Sequence, residues 1–170
     1  MDIEIVKVGI LNTNCYILSK NNHVLVIDPG DEYEKINSTI NGRTIDGVII
    51  THSHFDHIGC VDDFPKELIY DYNNLKEGIK KIGEFEFEVI YTPGHKEDSI
   101  SIYFDNDQVL FVGDFIFYEA IGRTDLGGGD NHQMIESIKK TKRFDDDVVI
   151  YPGHGESTTF HHERLYNPYF

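Results

Sequence analysis

The chain has 170 residues, enough for one domain with a hydrophobic core and short for two. Its 30 acidic residues outnumber its 15 Lys and Arg residues, which gives a formal charge of −15. A surface that follows nucleic-acid phosphates needs clustered Lys and Arg, so this charge argues against a nucleic-acid partner. No apolar run approaches the roughly 20 residues that cross a bilayer, so we expect no membrane partner either.

The N-terminus and the two cysteines indicate the compartment. Met1-Asp2-Ile3-Glu4 is acidic and alternates, so it predicts a strand rather than a signal peptide. Without a secretory signal, Cys15 and Cys60 are expected to be reduced, packed thiols. We therefore expect a cytoplasmic location.

The first part of the chain alternates apolar runs with turn signals. The predicted strands are residues 3–8, 14–18, 24–28, 48–51 and 68–70. Asn21-Asn22 predicts the turn between the second and third of these strands. Residues 31–40 predict a helix, and a second, short helix is expected from near Ile58 to just before Pro65.

The second part of the chain continues the alternation of strands and helices. The predicted strands are residues 84–90, 101–104, 109–112 and 148–151. Residues 84–90 alternate strictly between glutamate and apolar side chains, which predicts one wet and one buried face. Residues 131–142 have helical spacing. Because no repeat or linker interrupts the pattern, we expect a single domain, residues 1–170.

Four metal-capable side chains lie within six residues, directly after the apolar, β-branched run that ends at Ile50. They are His52, His54, Asp56 and His57. Open α/β sheets bind ligands at the C-terminal ends of their strands, and imidazole and carboxylate groups accept Zn²⁺, Fe²⁺ and Mn²⁺. The alternative is a solvated polar loop or a set of core histidines. The close clustering favours a metal site, because each buried histidine would otherwise need its own partner.

Three further apolar strands end in a metal-capable residue. These residues are His95, Asp114 and His154, and a glycine directly precedes each of them. Glycine permits the sharp turns and close backbone approach that a crowded site needs. Singly, each of these strand ends is an ordinary turn. Together the four strand ends supply seven candidate ligands, which suit two ions better than one tetrahedral ion. Neither cysteine lies in a ligand-spaced pair, which favours an open, catalytic site over a structural one.

The order of these motifs resembles a known family. His-x-His-x-Asp-His, followed by Pro-Gly-His, Gly-Asp and Pro-Gly-His-Gly, is similar to the metallo-β-lactamase superfamily over residues 50–155. The run from Gly122 to Leu126 and the closing Asn167-Pro168 resemble the short, bacterial glyoxalase II-like hydrolases. The resemblance implies an α/β fold, a metallo-β-lactamase-like αββα sandwich of two mixed β-sheets flanked by helices.

The resemblance also implies two divalent metal ions, with zinc expected first and iron or manganese as alternatives. One ion would take His52, His54 and His95, and the other Asp56, His57 and His154. Asp114 would bridge the two ions. Such a pair lowers the pKa of a shared water from about 15.7 toward about 7, so that hydroxide can attack a carbonyl carbon. Asp56 and Asp114 are therefore the expected catalytic residues, with Asp56 orienting the nucleophile.

The substrate expected from this chemistry is a small-molecule thioester. A thiolate leaves with little help from a general acid, and no dedicated acid is evident near the cluster. The leading interpretation is a thioesterase similar to hydroxyacylglutathione hydrolase, acting on an S-acyl thiol such as S-lactoylglutathione. The alternative is a persulfide dioxygenase of the same superfamily, with one iron on His52, His95 and Asp114. The complete second ligand set favours hydrolysis.

Four other polar residues are expected to lie outside the metal set. Arg123 and Asp125, two residues apart in a glycine-flanked loop, predict an ion pair or loop clamp. His161 and His162 are adjacent on a segment expected to be extended. Their side chains would then point apart, so at most one would face the site.

Overall fold

Two mixed β-sheets face each other, and each carries helices on its outer side. The protein is described here by a computed structural model that covers all 170 residues. The first sheet contains β1 (Asp2–Val8), β2 (Thr13–Lys20), β3 (His23–Ile27), β4 (Thr44–Ile49) and β5 (Ile69–Tyr70), in that spatial order. The strands from β1 to β3 are antiparallel, whereas β3, β4 and β5 run parallel.

The second sheet is built from the C-terminal half of the chain. Its strands are β6 (Gly78–Ile82), β7 (Phe85–Tyr91), β8 (Ile100–Phe104), β9 (Val109–Gly113), β12 (Val149–Pro152) and β13 (Thr158–Thr159). Their spatial order is β13-β12-β9-β8-β7-β6, and only β12 and β9 are parallel. A separate hairpin joins β10 (Ile116–Phe117) to β11 (Ala120–Ile121).

Four helices complete the layers. They are α1 (Tyr33–Ile40), α2 (Phe55–Ile58), α3 (Asn131–Lys140) and α4 (Phe160–Tyr166). None of them has the length and apolar character that crossing a membrane requires. The expected fold class, an αββα sandwich of two mixed sheets, is confirmed.

The alternation of side chains along each strand divides the core between the layers. In β3, Leu25 and Ile27 point between the two sheets, where they join Phe87 and Phe111 of the second sheet. Val26 of the same strand points to the outer face, beneath α1. A third apolar cluster fills the space between the second sheet and the helices α3 and α4. Because each sheet is covered on both faces, strands such as β3 and β9 are almost entirely apolar.

The structure shifts one predicted helix and adds elements that were not predicted. The short helix begins at Phe55, not near Ile58, because His54 is extended and stands at its N-cap. It ends at Ile58, and Gly59 then packs closely on the backbone of Gly30, where a Cβ would lie 2.0 Å from the carbonyl oxygen. The unpredicted strands are β6, β10, β11 and β13. All but β6 have two residues, too few to show a period.

The segment containing His161 and His162 is helical, so the expectation of an extended segment was wrong. It forms α4, whose N-cap Thr159 accepts a hydrogen bond from the backbone N–H of His162. The sequence Thr159-Phe-His-His-Glu163 carries this start signal, a capping threonine followed by an acid in the first turn.

Candidate metal centre

The seven predicted ligands lie together at one edge of the sandwich, in the segments that follow β4, β7, β9 and β12, with Asp56 and His57 in α2. Backbone hydrogen bonds hold these segments in place, both between the two sheets and within the second sheet. Ile100 donates to the carbonyl of Thr51 at 2.8 Å, and Gly153 donates to the carbonyl of Gly113 at 2.8 Å. No predicted ligand lies elsewhere in the fold.

The ligand atoms form three overlapping groups, within each of which all atoms lie less than 4.8 Å apart. The groups are His52/His54/His95, His52/His57/Asp114 and Asp56/His57/His154. The first and third groups are the two triads that the family resemblance implies. The second group joins them through Asp114.

Asp114 presents its two carboxylate oxygens to different triads. Oδ1 lies 3.3 Å from Nε2 of His57 and 3.6 Å from Nε2 of His154. Oδ2 lies 3.6 Å from Nε2 of His95. A carboxylate oriented in this way can serve two cations at once.

Four of the histidines hold their Nδ1 atoms on acceptors outside the cluster. His57 donates to Asp28 at 2.8 Å, His95 to the carbonyl of Arg123 at 2.8 Å, and His154 to the carbonyl of Leu11 at 3.2 Å. Nδ1 of His52 lies 3.2 Å from the hydroxyl of Thr51. These bonds fix the ring orientations and leave Nε2 of each ring for a ligand. His54 differs, because its Nδ1 points inward, 2.8 Å from Nε2 of His95.

Asp28 is a buried residue beside the centre that was not among the predicted site residues. Its buried carboxylate accepts hydrogen bonds from the backbone N–H and the hydroxyl of Thr51, both at 2.7 Å, and from His57. Because the hydroxyl of Thr51 donates to Asp28, it can accept from Nδ1 of His52. Asp28 therefore orients one histidine directly and a second one through Thr51. A signal was present in the sequence, since β3 leads into Asp28-Pro29-Gly30 in the same manner as the other strand ends.

Thr13 is a second such residue. It is buried at the start of β2, and its hydroxyl donates to Oδ2 of Asp56 at 2.9 Å. Burial opposes ionisation of Asp56. The hydrogen bonds from His154 and Thr13 and the neighbouring His57 outweigh burial and hold the pKa of Asp56 below its usual range. No local pattern in the sequence marks this contact, which joins residues 43 positions apart.

The surroundings of the centre shift the pKa values of its histidines in opposite directions. Burial lowers the pKa of His52 well below its ordinary value, and the neighbouring imidazoles lower it further. Burial acts in the same direction on His57, but the carboxylates of Asp28 and Asp114 outweigh it and raise the pKa of His57 to about 10. Nε2 of His57 and Oδ1 of Asp114 are also the buried side-chain polar atoms that lack a hydrogen-bond partner. A cation between them would satisfy both atoms.

Gly153 allows the backbone to approach the cluster closely. A Cβ at this position would lie 2.3 Å from Oδ1 of Asp114 and 2.6 Å from Cε1 of His57. Any side chain would therefore displace two candidate ligands, as expected for a glycine that precedes a ligand in a crowded site.

A cavity of about 320 Å³ opens above the cluster. The apolar side chains that line it are Leu11, Phe55, Phe117, Ile121 and Leu126. Arg123 also reaches it and forms a two-pronged ion pair with Asp125, with both N···O distances at 2.9 Å. The expected ion pair of these two residues is therefore present.

His161 and His162 lie outside the cluster. His161 is 3.6 Å from Asp146, and His162 bonds Glu119 at 2.9 Å and stacks on Tyr118. Neither histidine lines the cavity.

Comparisons with known proteins agree with the family that the order of the motifs indicates. The family model of the metallo-beta-lactamase superfamily matches residues 8–72 and 70–154. The probable metallo-hydrolase YqgX of Bacillus subtilis (strain 168) is 31% identical, with 95% of this chain and 94% of YqgX aligned. The hydroxyacylglutathione hydrolase GloC of Haemophilus influenzae (strain ATCC 51907 / DSM 11121 / KW20 / Rd) is 29% identical, with 99% of this chain and 98% of GloC aligned.

Two solved structures share the whole fold. BLEG-1 B3 metallo-beta-lactamase superposes with a TM-score of 0.93 at 30% identity, over 99% of both chains. TTHA1623 in a di-iron-bound form superposes with a TM-score of 0.89 at 28% identity, over 99% of this chain and 100% of TTHA1623. From its motifs, its fold and these matches, the chain belongs to the metallo-beta-lactamase superfamily, a superfamily of metallo-hydrolases.

Proposed function

We propose that the protein is a hydrolase of thioesters that works with two divalent metal ions, zinc or iron. One observation carries the proposal. Two triads of ligand atoms lie on either side of Asp114, whose carboxylate oxygens point to different triads. The geometry supports one ion on His52, His54 and His95, a second ion on Asp56, His57 and His154, and Asp114 as a ligand of both.

The residues fit such ions chemically. Imidazole nitrogens and carboxylate oxygens are the ligands that catalytic zinc and non-haem iron take in proteins. Nε2 of His57 and Oδ1 of Asp114 are buried without hydrogen-bond partners, and both belong to this set. The donor set suits zinc. The di-iron-bound form of the similar protein TTHA1623 equally supports iron.

When bound, a pair of ions supplies an activated water and a Lewis acid for a carbonyl oxygen. The chain's own residues then orient the reaction. Thr13 holds Asp56 so that its carboxylate faces the cluster, where it can orient the nucleophile. Asp28, Thr51 and the carbonyl of Arg123 keep the histidine rings in place.

The cavity lining favours a thioester among carbonyl substrates. Hydrolysis joins the water oxygen to the acyl carbon, breaks the C–S bond and passes the proton to the departing sulfur. Apart from the candidate ligands, the cavity presents Arg123 and apolar groups, none of which donates a proton at neutral pH. A thiolate leaves without a general acid, whereas an amine does not. The similarity to GloC, a hydroxyacylglutathione hydrolase, agrees with this substrate class.

Metal content and thioester turnover together test the proposal. Elemental analysis after purification without chelator is expected to find two ions per chain, and the loaded protein is expected to hydrolyse S-lactoylglutathione. Asp114→Ala is expected to lose most of the metal and at least about 100-fold in kcat/KM. Asp146→Ala, a carboxylate on the surface beside Arg164, is the matched control and should keep both properties.

Two results would overturn the proposal. Two ions retained in Asp114→Ala would exclude this residue as a ligand of both. A single iron per chain, no thioester turnover and oxygen consumption with glutathione persulfide would instead identify a persulfide dioxygenase.

A further inference from the structure

The hairpin turn between β1 and β2 carries two apolar residues at its tip, beside the candidate metal centre. Gly9 and Asn12 close the turn through a 3.2 Å backbone hydrogen bond. Between them, Ile10 is 90% exposed and Leu11 is 49% exposed. Turn tips are usually polar, since they face water. The carbonyl of Leu11 accepts the hydrogen bond from His154, which joins this turn to the centre.

More apolar side chains continue from the turn around the mouth of the cavity. Phe55 lies between two candidate ligands in the sequence, yet its side chain points outward and is 68% exposed. Leu126 is 40% exposed on another side, and the half-buried Phe117 and Ile121 line the wall. Single exposed apolar residues are ordinary on protein surfaces. A contiguous ring of them around a concave polar centre is characteristic of a ligand site.

Apart from the ions that the proposed function places at its base, the mouth offers no unpaired positive charge. Outside the candidate ligands, Arg123 is the one basic side chain that lines the cavity, and Asp125 pairs with it through two hydrogen bonds. A smaller recess adjoins the cavity and shares Leu11, Phe55 and Asp56 with it. Its lining adds the carboxylate of Asp31 and no basic residue. An anionic substrate arm in this mouth would therefore lack a counter-ion among the side chains and would meet the negative field of a chain with a charge of −15.

We infer that this mouth selects a small thioester whose acyl and thiol arms are uncharged and apolar. The inference rests on the proposed thioester hydrolysis and specifies its substrate class. The volume of about 320 Å³ agrees with a small substrate, since it lies at the lower end of the range of roughly 300–1,000 Å³ for ligand cavities. Phe55, Leu11 and Leu126 are the residues that recognise the apolar arms.

Two thioesters with the same acyl group test the effect of the charge on the thiol arm, because the bond that is hydrolysed is the same in both. These are S-butanoyl-N-acetylcysteamine, which is neutral, and S-butanoylglutathione, which is anionic. The metal-loaded protein is expected to have a KM at least about tenfold lower for the neutral thioester, with similar kcat values, because the arm binds alike in the ground and transition states. Calorimetric binding of the matched thioethers, S-butyl-N-acetylcysteamine and S-butylglutathione, measures the same preference without turnover.

Substitutions in the mouth test which residues cause the preference. Phe55→Ala is expected to weaken binding of the neutral thioether by about tenfold, the order of magnitude for the burial of one aromatic side chain, and to weaken binding of the anionic thioether, which carries the same butyl arm, by less. Leu126→Lys is expected to shift the preference toward the anionic compound. Ile79→Ala removes an equally exposed apolar side chain from the distant edge strand β6 and should change neither.

The outcomes distinguish this inference from the proposed function. If both thioesters are hydrolysed and the glutathione compound has the equal or lower KM, the hydrolase is supported and the apolar selectivity is wrong. If neither is hydrolysed but the neutral thioether binds more tightly and loses this advantage in Phe55→Ala, thioester hydrolysis is wrong and the selectivity is supported. Equal effects of Phe55→Ala and Ile79→Ala on binding would also overturn the assignment of the mouth.

Discussion

Asp28 is a buried carboxylate that orients two candidate ligands without being a candidate ligand itself. The end of β3 carries it, and its two oxygens accept three hydrogen bonds, two of them from Thr51 and one from His57. The residue has a left-handed backbone conformation, with φ at +53°, which is uncommon outside glycine and asparagine. The backbone thus bends sharply where the carboxylate must reach the histidines.

We predict that Asp28→Asn weakens metal binding without unfolding the protein. The asparagine carbonyl can still accept from the backbone of Thr51, but an amide cannot supply the charge that orients Nδ1–H of His57. The affinity for metal is expected to fall by about 10- to 100-fold, the range for residues that orient metal-bound histidines, in a titration with a competing chelator. Asp46→Asn is the matched control, since Asp46 bonds His23 at 2.7 Å away from the centre. Equal losses in the two variants would contradict the orienting role of Asp28.

At the scale of elements, the position of the loop after β12 depends on hydrogen bonds from the opposite sheet. Tyr16 and Asn14, both on β2, donate to the carbonyl of Pro152 at 2.5 and 2.9 Å, and the backbone N–H of Asn14 donates to the carbonyl of Gly153 at 2.7 Å. The loop carries His154, so the position of this candidate ligand is set by a strand of the first sheet as well as by its own strand. Sheet packing therefore controls the geometry of the second triad.

We predict that Tyr16→Phe loosens this loop while the core stays packed. The ring and its edge-on contact with Phe111 remain, and only the hydroxyl is lost. Removing the two buried hydrogen bonds of this hydroxyl, one donated to Pro152 and one accepted from Asn14, is expected to lower the free energy of unfolding by about 1–2 kcal/mol. Metal content at limiting metal should also fall, with the second ion lost first. Tyr103→Phe, which removes a hydroxyl bonded to Asp105 far from the centre, should lower stability alone. Unchanged metal binding in Tyr16→Phe would contradict the anchoring role.

At the scale of the whole molecule, three apolar clusters separate the four layers. The outer cluster of the first sheet lies beneath α1 and contains both cysteines, which are free and buried. Burial raises the pKa of the Cys15 thiol, and with the nearby carboxylates of Asp63 and Asp31 it raises the pKa of Cys60 to about 12. The fold therefore keeps both thiols protonated in a pH range where the thiols of an unfolded chain would lose their protons.

This difference predicts a loss of stability at high pH. Above the ordinary thiol pKa of about 8.5, the unfolded chain releases protons that the folded chain retains up to about pH 12 for Cys60. The folded state then binds more protons, so the free energy of unfolding falls as the pH rises between these values. The slope for one thiol stays below about 1.4 kcal/mol per pH unit.

Denaturant unfolding at several pH values measures this slope. Lysine and tyrosine side chains titrate in the same range, so the informative quantity is the difference between the parent protein and Cys60→Ala. The decline with pH is expected to be shallower in Cys60→Ala. Parallel pH profiles for the two proteins would show that the thiol does not contribute.

The sequence by itself determined the elements with a clear period and the residues that could bind metal. Apolar runs predicted the long strands, and the Asn21-Asn22 turn has the positive φ values, 52° and 65°, that a two-residue hairpin requires. His95, Asp114 and His154 could be selected because each follows a glycine at the end of an apolar strand. These signals are local, since the period of a strand and the chemistry of a side chain need only neighbouring residues.

Only the tertiary structure decided how these residues are grouped and what surrounds them. Thr13 contacts Asp56, Tyr16 holds the loop before His154, and Phe55 and Leu126 line the same cavity. Each of these pairings brings together segments more than 40 residues apart, so no window of sequence contains both partners. Which segments meet depends on the order of strands in two sheets and on the packing of those sheets, and this is settled by burial of the whole apolar surface rather than by any local pattern.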